Sequence, residues 1–580
     1  MQDIEFTIQQ GKLYMLQTRT GKRTAHAAVQ IAVDLAQEGL ISKSEALLRL
    51  KPELITQLLH PTLDPSSLGR WPRLTKGLPA SPGAAAGKVV FTAEEAEKRS
   101  RNGEKVLLVR IETSPDDIGG LHAADGVLTT RCGLTSHAAV VARTMGRPCV
   151  AGARELQVDY AARRMTVGDV TVLEGQLVTI DGNTGDVLLG EVPTVTPKLS
   201  KAFRTIMEWA DEYRTLQVRC NAETPCDAQR AKLFGAEGIG LVRTEHMFFE
   251  AERIVAMRQM ILAADDKERQ SALQKLLELQ RQDFADLFEI FPSSVTVRLL
   301  DAPLHEFLPS TEAGLAAVAA VGATVPASLE RVKRRTAQLR EANPMLGHRG
   351  CRLAITYPEI CEMQTRAIFE AAASLRRRQQ MVPIVEVMVP LVSHVEEFQI
   401  LKEVVEKTAL VVQQEQQMSF TYHIGTMMEL PRACLQAEKL AQSAEFFSFG
   451  SNDLTQSTYG LSRDDASTFL PNYKAKGILE QDPFVTLDTD GVGELILLAV
   501  ERGRKARSGM KMGICGEHAG DPSSIDFCDR IGLDYVSCSP WRVPLARLAA
   551  AQAALRGADR GDRGGGAKRS GRRAATMTAT

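Results

Sequence analysis

Short apolar runs that end in polar or charged residues recur over the second half of the chain. From residue 216 to about residue 555, eight such runs alternate with helical sequence, the pattern of strands that are each followed by a helix. Eight units over roughly 340 residues predict a (β/α)₈ barrel with insertions, whose active site lies at the carboxyl ends of the strands. The predicted strand ends are at Asn221, Arg243, Arg298, Arg349, Pro390, Glu429, Asp453 and Cys515.

Ahead of residue 216 the pattern of apolar positions changes three times. Apolar and polar residues alternate through residues 1–20 and predict a two-stranded hairpin. Apolar residues at helical spacing in residues 22–59 predict two amphipathic helices. Short apolar strands between residues 78 and 192 predict a compact, β-rich α/β domain between two proline-containing boundaries. The predicted segments are 1–21 (hairpin), 22–76 (helical linker region), 77–195 (β-rich domain), 198–555 (barrel) and 556–580 (disordered tail).

Composition narrows the class of protein. The 580 residues include 44% apolar residues and carry a formal net charge of -1, so no global field recruits nucleic acid or an anionic membrane. Neither a signal peptide nor a membrane span is visible in the sequence. Ten cysteines without C-x-x-C pairs indicate reduced thiols in a cytoplasmic protein. The Gly/Arg-rich tail could touch RNA, but a solvated tail is the favoured interpretation.

One histidine has a sequence context that suits phosphate. A turn at Gly133 leads through Thr135 and Ser136 to His137 and then to a helix-forming apolar run. With a hydroxyl residue as the cap, His137 lies in the first helical turn, where free N–H groups and the helix dipole favour an anion. The pattern predicts a histidine that accepts a phosphoryl group on Nε2. The alternative is a helix-capping histidine without chemistry.

Three arginines end predicted strands of the barrel. Arg243, Arg298 and Arg349 each offer a guanidinium fork that fits phosphate and carboxylate oxygens. Taken singly, each is explained as well by a surface salt bridge, with neighbours such as Glu245 and Asp301. Together at one barrel mouth they would repel one another unless an anion lay between them, so they predict an anion site.

Two carboxylates and a thiol follow other predicted strands. Glu429 and Asp453 supply the hard oxygen ligands that Mg²⁺ prefers, although Asp453 could instead cap a helix. A metal beside three arginines implies a substrate with two anionic groups, such as a phosphate and a carboxylate. Cys515, which lies between glycines, could act as an acid or base or could be a buried structural thiol.

Four motifs follow one another in a distinctive order along the chain. They are TSHAAVVAR from Thr135 to Arg143, LVRTEHMFF from Leu241 to Phe249, RGCRL from Arg349 to Leu353 and GICGEH from Gly513 to His518. In sequence and order these motifs resemble the pyruvate, phosphate dikinases of the phosphoenolpyruvate-utilising enzyme family. The resemblance covers nearly all of residues 1–550. It implies a β-rich swivelling domain that carries a phosphohistidine, followed by a TIM barrel.

The resemblance assigns a role to most of these residues. His137 would carry the phosphoryl group, and Cys515 would exchange a proton with the enolate carbon. Thr135 would match a regulatory phosphorylation site of the plant enzymes. Glu429 and Asp453 would hold Mg²⁺. The implied substrate-binding set is Arg243, Arg298, Arg349, Glu429, Gly450, Ser451, Asn452 and Asp453.

The hairpin at the start of the chain resembles the closing strands of an ATP-grasp nucleotide-binding domain. Glu5 would match a metal-binding carboxylate, and Gln17 and Arg19 would match nucleotide-site residues. In the family, a few hundred residues with most of the ATP site precede this hairpin. The sequence is therefore interpreted as a natural truncation, a split enzyme or the product of a misplaced start.

The family reaction converts ATP, pyruvate and phosphate to AMP, phosphoenolpyruvate and diphosphate through phosphohistidine. We expect this chain to retain the half-reaction between phosphoenolpyruvate and pyruvate, and to use ATP or AMP only if the missing domain is supplied. The alternatives are a phosphoenolpyruvate synthase-like enzyme, although those usually have cysteine where this chain has Ser136, and a non-catalytic remnant that needs a separate nucleotide-binding partner. The resemblance also implies a homodimer through the barrel, with no nucleic acid or membrane partner.

Overall fold

The protein is described by a computed structural model that contains a closed barrel and a separate eight-stranded sheet. The structure describes residues 2–21, 23–67, 69–113, 117–131, 137–195, 199–249, 251–263, 265–309, 315, 329–379, 383–463, 465–466 and 469–559.

The strands and helices alternate most regularly in the second half of the chain. The strands are β1 (Gln2–Gln9), β2 (Lys12–Thr20), β3 (Thr62–Leu63), β4 (Arg73–Lys76), β5 (Leu78–Ser81), β6 (Ala84–Val90), β7 (Val106–Arg110), β8 (Gly126–Thr129), β9 (Cys149–Ala151), β10 (Gln157–Asp159), β11 (Arg164–Val167), β12 (Val170–Leu173), β13 (Leu177–Asp181), β14 (Asp186–Leu189), β15 (Thr194–Val195), β16 (Gln217–Asn221), β17 (Ile239–Arg243), β18 (Val295–Arg298), β19 (Val385–Val389), β20 (Tyr422–Met428), β21 (Phe446–Gly450), β22 (Lys511–Cys515) and β23 (Tyr535–Cys538). The helices are Ala25–Gln37, Lys43–Arg49, Pro52–Gln57, Ala93–Arg101, Ile118–Ala123, His137–Met145, Lys201–Tyr213, Pro225–Leu233, Ala251–Leu262, Asp266–Ile290, Leu329–Leu339, Cys351–Thr356, Pro358–Gln379, Val395–Glu415, Pro431–Leu435, Ala437–Ser443, Ser451–Tyr459, Leu470–Ala475, Val492–Ala506, Pro522–Arg530 and Val543–Asp559.

Strands β16 to β23 form the predicted barrel. All neighbouring pairs are parallel, and β16 pairs with β23 to close the sheet. Strands such as β19 and β21 are buried at every position, because helices cover the outside and side chains fill the inside. The prediction of a (β/α)₈ barrel after a β-rich domain is confirmed.

One of the eight predicted strands is wrong, and one strand of the barrel was not predicted. The run that ends at Arg349 is not a strand, because Pro344 opens a short 3₁₀ helix (Pro344–Leu346) and Leu346 is exposed to solvent. The sequence analysis also missed the last strand, β23, whose four residues give only a short apolar run. Glu429, Asp453 and Cys515 consequently follow the fifth, sixth and seventh strands of the barrel.

The region ahead of the sheet domain has three helices where two were predicted. Pro52 stands at the first position of the third helix, where its missing N–H costs nothing, and it divides the predicted second helix. Buried residues of all three helices, such as Val29, Leu47 and Ile55, share one apolar core with the barrel. The Gln552 side chain donates to the carbonyls of Leu47 and Leu50 at 2.7 Å.

The sheet domain (residues 73–195) is built on one eight-stranded sheet. Its strand order is β4-β14-β13-β6-β7-β8-β9-β5, and the four strands predicted in this region are β6, β7, β8 and β13. One face of the sheet packs on the small sheet β10–β12 through Met165 and Val172. The other face packs on helices, among them His137–Met145.

The first described residues form an exposed hairpin, whereas the last described residues form a helix. The predicted hairpin is present as β1 and β2, and every residue of both strands is exposed. The tail was predicted to be disordered from residue 556, but Val543–Asp559 is a helix, so that prediction is wrong for residues 556–559. Residues 560–580 lie outside the described part. Among the described helices, none combines the length and apolarity needed to cross a membrane.

Candidate active site at the barrel mouth

Two of the predicted arginines lie side by side at the carboxyl end of the barrel. Arg243 ends β17 and Arg298 ends β18, and the two residues are register partners. Arg243 Nη1 lies 3.3 Å from Glu223 Oε1. Arg298 Nη1 lies 3.0 Å from Asp301 Oδ2, and its Nη2 donates to Glu245 Oε1.

The third arginine reaches the same place from a loop. Arg349 Nη2 donates to Asp453 Oδ1 at 2.8 Å, and Nε lies 3.5 Å from Asp301 Oδ1. Gly350 has a φ of +59°, and a Cβ there would lie 2.8 Å from Asp301 Oδ1, so glycine allows the close approach of this loop. The structure therefore brings Arg349 to the site although it does not end a strand.

The ion pairs of the alternative interpretation exist, but they are not on the surface. Arg298 is 7% exposed and Arg349 is 6% exposed. Burying charged groups is costly unless pairing and hydrogen bonds compensate, so such a cluster is a poor device for stability alone. Five carboxylates surround the three arginines, and an anion that binds there must replace them as partners of the guanidinium groups. They are Glu223, Glu245, Asp301, Glu429 and Asp453.

The carboxylates at the mouth respond differently to burial. Burial raises the pKa of Glu223 to about 7, even though Arg243 acts in the opposite direction. Burial also raises the pKa of Glu245, but the adjacent Arg298 outweighs it and holds that pKa below the ordinary value. Glu245 is therefore ionised and pairs with Arg298, whereas Glu223 titrates near neutral pH.

Glu429 has one satisfied and one unsatisfied oxygen. Its Oε1 accepts from the backbone N–H of Leu391 at 2.6 Å, and its Oε2 has no hydrogen-bond partner among the described residues. Leu391 is held at a φ of +58°, a conformation that costs a leucine of order 1 kcal/mol or more. Burial, followed by the carboxylates of Asp301 and Asp453, raises the pKa of Glu429.

The Glu429 carboxylate fits a metal ion that is completed by other ligands. In the described part of the chain, no group of three or more His, Cys, Asp or Glu side chains is arranged to hold a metal by itself. The unpartnered Glu429 Oε2 nevertheless fits Mg²⁺, which commonly takes one or two protein carboxylates and completes its shell with substrate oxygens and water. Asp453 lies in the first turn of Ser451–Tyr459 and does not cap that helix, since the capping position is Gly450.

Cys515 is buried inside the barrel mouth. It ends β22 opposite Gly450 of β21, and Ser448 Oγ lies 3.4 Å from its Sγ. Four apolar side chains share its cluster: Leu241, Met388, Met427 and Phe446. Burial raises the pKa of the Cys515 thiol, so the group holds its proton at neutral pH and can donate it to a carbanion.

The backbone of the substrate-binding set is tightly confined. A Cβ at Gly450 would lie 2.8 Å from Glu429 Oε2, and a Cβ at Gly516 would lie 2.6 Å from Ser451 Oγ. Asn452 Oδ1 accepts from the Glu517 N–H at 3.2 Å. Glycine at these two positions thus lets the side chains of Glu429 and Ser451 lie directly against the backbone.

The sequence analysis missed residues that act through their backbone or through a neighbour. His518 lies within the GICGEH motif but was given no role; its Nδ1 lies 2.8 Å from Ser451 Oγ and its Nε2 donates to the Pro483 carbonyl at 2.8 Å. Leu391 orients Glu429 through a backbone N–H that no side-chain pattern reveals. Glu223, two residues beyond the end of β16, pairs with Arg243 at the end of β17, and no sequence pattern indicates this pairing.

The helix that begins at His137 lies against the barrel mouth. His137–Met145 contacts the 3₁₀ turn Pro540–Arg542 that follows the last barrel strand. Arg143 of this helix has three charged neighbours from the barrel: Glu517, Arg542 and Arg463. His137 is in the first helical turn, as predicted, while its side chain and the predicted positions Thr135 and Ser136 lie outside the described residues.

The predicted nucleotide-site residues lie on the hairpin, outside the barrel mouth. Glu5 and Gln17 are register partners across β1 and β2. Arg19 Nη2 lies 3.7 Å from Glu5 Oε1, and both side chains are more than half exposed. These residues are close to one another but are open to solvent.

Comparison with known protein families gives a match for the barrel and a match for the sheet domain. Residues 197–555 match the PEP-binding domain of PEP-utilising enzymes, and residues 102–185 match their mobile domain. The first match spans more than half of the chain and contains the whole barrel. The chain belongs to the phosphoenolpyruvate-utilising enzymes. Within this family, its sheet domain corresponds to the mobile domain.

Curated relatives in this family are pyruvate, phosphate dikinases. The chain is 59% identical to that of Rhizobium meliloti over 96% of its own length and 62% of the relative. It is 53% identical to that of Clostridium symbiosum, with 96% and 63% covered. It is 54% identical to the chloroplastic enzyme 1 of Arabidopsis thaliana, with 95% and 57% covered. The chain thus spans about three-fifths of the length of these relatives.

Proposed function

We propose that this protein transfers a phosphoryl group between phosphoenolpyruvate and His137, with pyruvate as the other product. The observation that carries the proposal is the convergence of two buried arginines, the partly buried Arg243 and an unpartnered carboxylate oxygen at the mouth on which the His137 helix lies. An anion with two charged ends fits this set of groups. The proposal corresponds to the phosphoenolpyruvate half-reaction of a pyruvate, phosphate dikinase.

The chemistry follows from the groups at the mouth. Arg243 and Arg298 bind the phosphate of phosphoenolpyruvate, with Arg349 beside them. The His137 Nε2 forms a bond to phosphorus while the bond from phosphorus to the enol oxygen breaks. The enolate that leaves takes the thiol proton of Cys515 at its terminal carbon and becomes pyruvate, and the thiolate regains a proton from solvent.

The proposed cofactor is Mg²⁺, held by Glu429 and Asp453. When bound, Mg²⁺ stabilises negative charge on the phosphate and enolate oxygens. The protein supplies the oxygen that would face it, because the Leu391 N–H fixes the Glu429 carboxylate from the other side. The closely packed backbone next to the substrate is that of Gly450, Ser451 and Asn452.

Labelling of the protein tests this function. Phosphoenolpyruvate with a labelled phosphate should label the wild-type chain, and His137→Asn should abolish the label because the acceptor nitrogen is lost. His26→Asn, a change at an exposed histidine on a distant helix, should leave labelling unchanged. A folded wild-type chain that takes no label would rule the proposal out in favour of a non-catalytic remnant.

The full dikinase reaction is proposed only in the presence of a nucleotide-binding partner. Labelled ATP alone should not label His137, because the described part of the chain offers only the exposed residues Glu5, Gln17 and Arg19 toward a nucleotide. Labelling by ATP alone would contradict this restriction. A homodimer through the barrel and a location in the cytoplasm belong to the same proposal.

A further inference from the structure

Trp541 stands where three segments of the chain meet. Its ring stacks on His60, with centroids 4.4 Å apart and planes inclined by 29°. Phe234 lies tilted against it at 5.7 Å, and the Arg230 guanidinium lies 4.6 Å from the ring centroid. His60 comes from the segment that enters the sheet domain, while Phe234 and Arg230 belong to the barrel. The ring is therefore held by stacking and cation–π contacts.

Gly146 of the sheet domain lies directly on the edge of this ring. It follows the His137 helix and has a φ of +63°. A Cβ at this position would lie 1.7 Å from Nε1 of Trp541 and 2.0 Å from Cε2. No side chain fits at residue 146 unless the indole or the helix moves, and the neighbours of the indole restrict its movement.

The sheet domain meets the same stack at a second glycine. A Cβ at Gly83 would lie 3.2 Å from Cβ of His60 and 3.0 Å from Cγ of Pro148. His60 Nδ1 and Trp541 Nε1 are both buried and have no hydrogen-bond partner among the described residues. The contact consequently depends on shape, and opening it would return two polar nitrogens to water. A buried polar atom without a partner is unfavourable, which suits a contact that must also open.

We propose that Gly146 and Trp541 form the docking contact that seats the mobile domain on the barrel and so positions His137 for phosphoryl transfer. This inference rests on the proposed function. Gly146 and His137 flank one helix and are separated by roughly 13 Å along its axis. A side chain that lifts one end of this helix from Trp541 displaces the other end from the barrel mouth. Both are positioning residues, since neither touches the reacting atoms.

The test compares two glycines of the same domain. Gly168 has a φ of +55°, like Gly146, but no described atom lies within 4 Å of the Cβ that an alanine would add. Gly146→Ala should slow labelling of His137 by phosphoenolpyruvate by roughly 100-fold, the cost of a misplacement of about 1 Å. Gly168→Ala carries the same backbone strain and should label at the wild-type rate. Equal rates for Gly146→Ala and the wild type would overturn the inference.

Two further measurements separate docking from folding and from substrate binding. In the His137→Asn background, which cannot turn over, calorimetry should give the same phosphoenolpyruvate affinity with and without Gly146→Ala, because the barrel site is unchanged. Small-angle X-ray scattering should show a larger radius of gyration for Gly146→Ala than for Gly168→Ala. A loss of phosphoenolpyruvate affinity in Gly146→Ala would assign the contact to the barrel site and overturn the inference.

The partner residue supplies the decisive comparison. In a Trp541→Ala background the obstacle is gone, so adding Gly146→Ala should cost far less than the same change costs in the wild type. If Gly146→Ala does not fold, Trp541→Ala alone should slow labelling while keeping phosphoenolpyruvate affinity, and an unchanged rate would overturn the inference. If the wild-type chain takes no label, the proposed function fails. Scattering then tests the docking contact by itself, and equal radii of gyration for the two glycine variants would overturn it.

Discussion

At the scale of single residues, the barrel mouth is a set of charged side chains that pair with one another. The strand-end pattern predicted Arg243 and Arg298 because parallel strands deliver their last residues to one edge. The arrival of Arg349 by a loop was not predictable, since it depends on the positive φ of Gly350. Leu391 left no signal at all, because leucine rarely adopts a φ of +58° and only the surrounding packing imposes it.

Glu429 offers a direct test at this scale. Glu429→Gln keeps an acceptor for the Leu391 N–H but removes the charge, so it should relieve the repulsion from Asp301 and Asp453. We expect a melting temperature equal to or above that of the wild type. Labelling by phosphoenolpyruvate with Mg²⁺ should fall by roughly 100-fold or more, since metal charge stabilisation is worth several kcal/mol.

The same exchange of carboxylate for amide at the opposite end of the barrel provides the control. Glu445 precedes β21, and Glu445→Gln should leave labelling unchanged. A Glu429→Gln chain that labels at the rate of Glu445→Gln would show that Glu429 holds no essential cation.

At the scale of elements, the barrel is held from the inside by charges on non-adjacent strands. Glu386 of β19 accepts from Arg219 of β16 at 2.9 Å and from Lys511 of β22, and Thr296 of β18 donates to it. The alternation of apolar runs and helical sequence predicts the barrel but not this cluster, because it does not show which side chains meet across the barrel interior. The pattern also misses β23, whose four residues give only a short apolar run, and it wrongly predicts a strand for the run that ends at Arg349.

Removing the central carboxylate should weaken the barrel. Burial alone raises the pKa of Glu386, but Arg219 and Lys511 outweigh it and lower that pKa to about 2. Glu386→Gln removes the carboxylate that pairs with the buried Arg219 and with the partly exposed Lys511, so the free energy of unfolding at neutral pH should fall by about 3–5 kcal/mol. Urea denaturation measures the loss, and Glu403→Gln, at an exposed position, should change little.

The same cluster sets a pH dependence. Because the folded pKa of Glu386 lies below its unfolded value near 4.5, its contribution is complete above about pH 4.5 and is lost as the pH falls toward 2. The difference in unfolding free energy between wild type and Glu386→Gln should therefore shrink over this range. A difference that is independent of pH would assign the loss to packing.

At the scale of the whole molecule, the described residues divide into parts that share a core and parts that do not. The three helices between Ala25 and Gln57 share the core of the barrel, whereas the sheet domain has cores of its own and meets the barrel at the Trp541 stack. The hairpin β1–β2 buries none of its residues. The sequence predicted these segments from their patterns, but which of them share a core is decided by tertiary packing.

The exposed hairpin predicts that deletion of residues 2–20 will hardly change the stability of the protein. An isolated two-stranded hairpin is marginal, and this one removes little apolar surface from water, so its deletion should shift the melting temperature by about 1 °C or less. Calorimetry measures the shift. Deletion of residues 25–57, which does remove core side chains, should lower the melting temperature strongly, and a comparable loss for the hairpin would show that it is part of the fold.

The Trp541 stack also makes the protein its own optical reporter. The chain has three tryptophans, of which Trp209 is buried with the barrel core and Trp71, just ahead of the sheet domain, packs on Gly190 of that domain. Of the three, only Trp541 has its ring edge covered by the sheet domain, at Gly146, and its ring face covered by the barrel, at Arg230. Its emission should shift to longer wavelength when the sheet domain and the barrel part and water reaches the indole, so unlabelled protein mixed rapidly with phosphoenolpyruvate could reveal how fast the domain moves in each catalytic cycle.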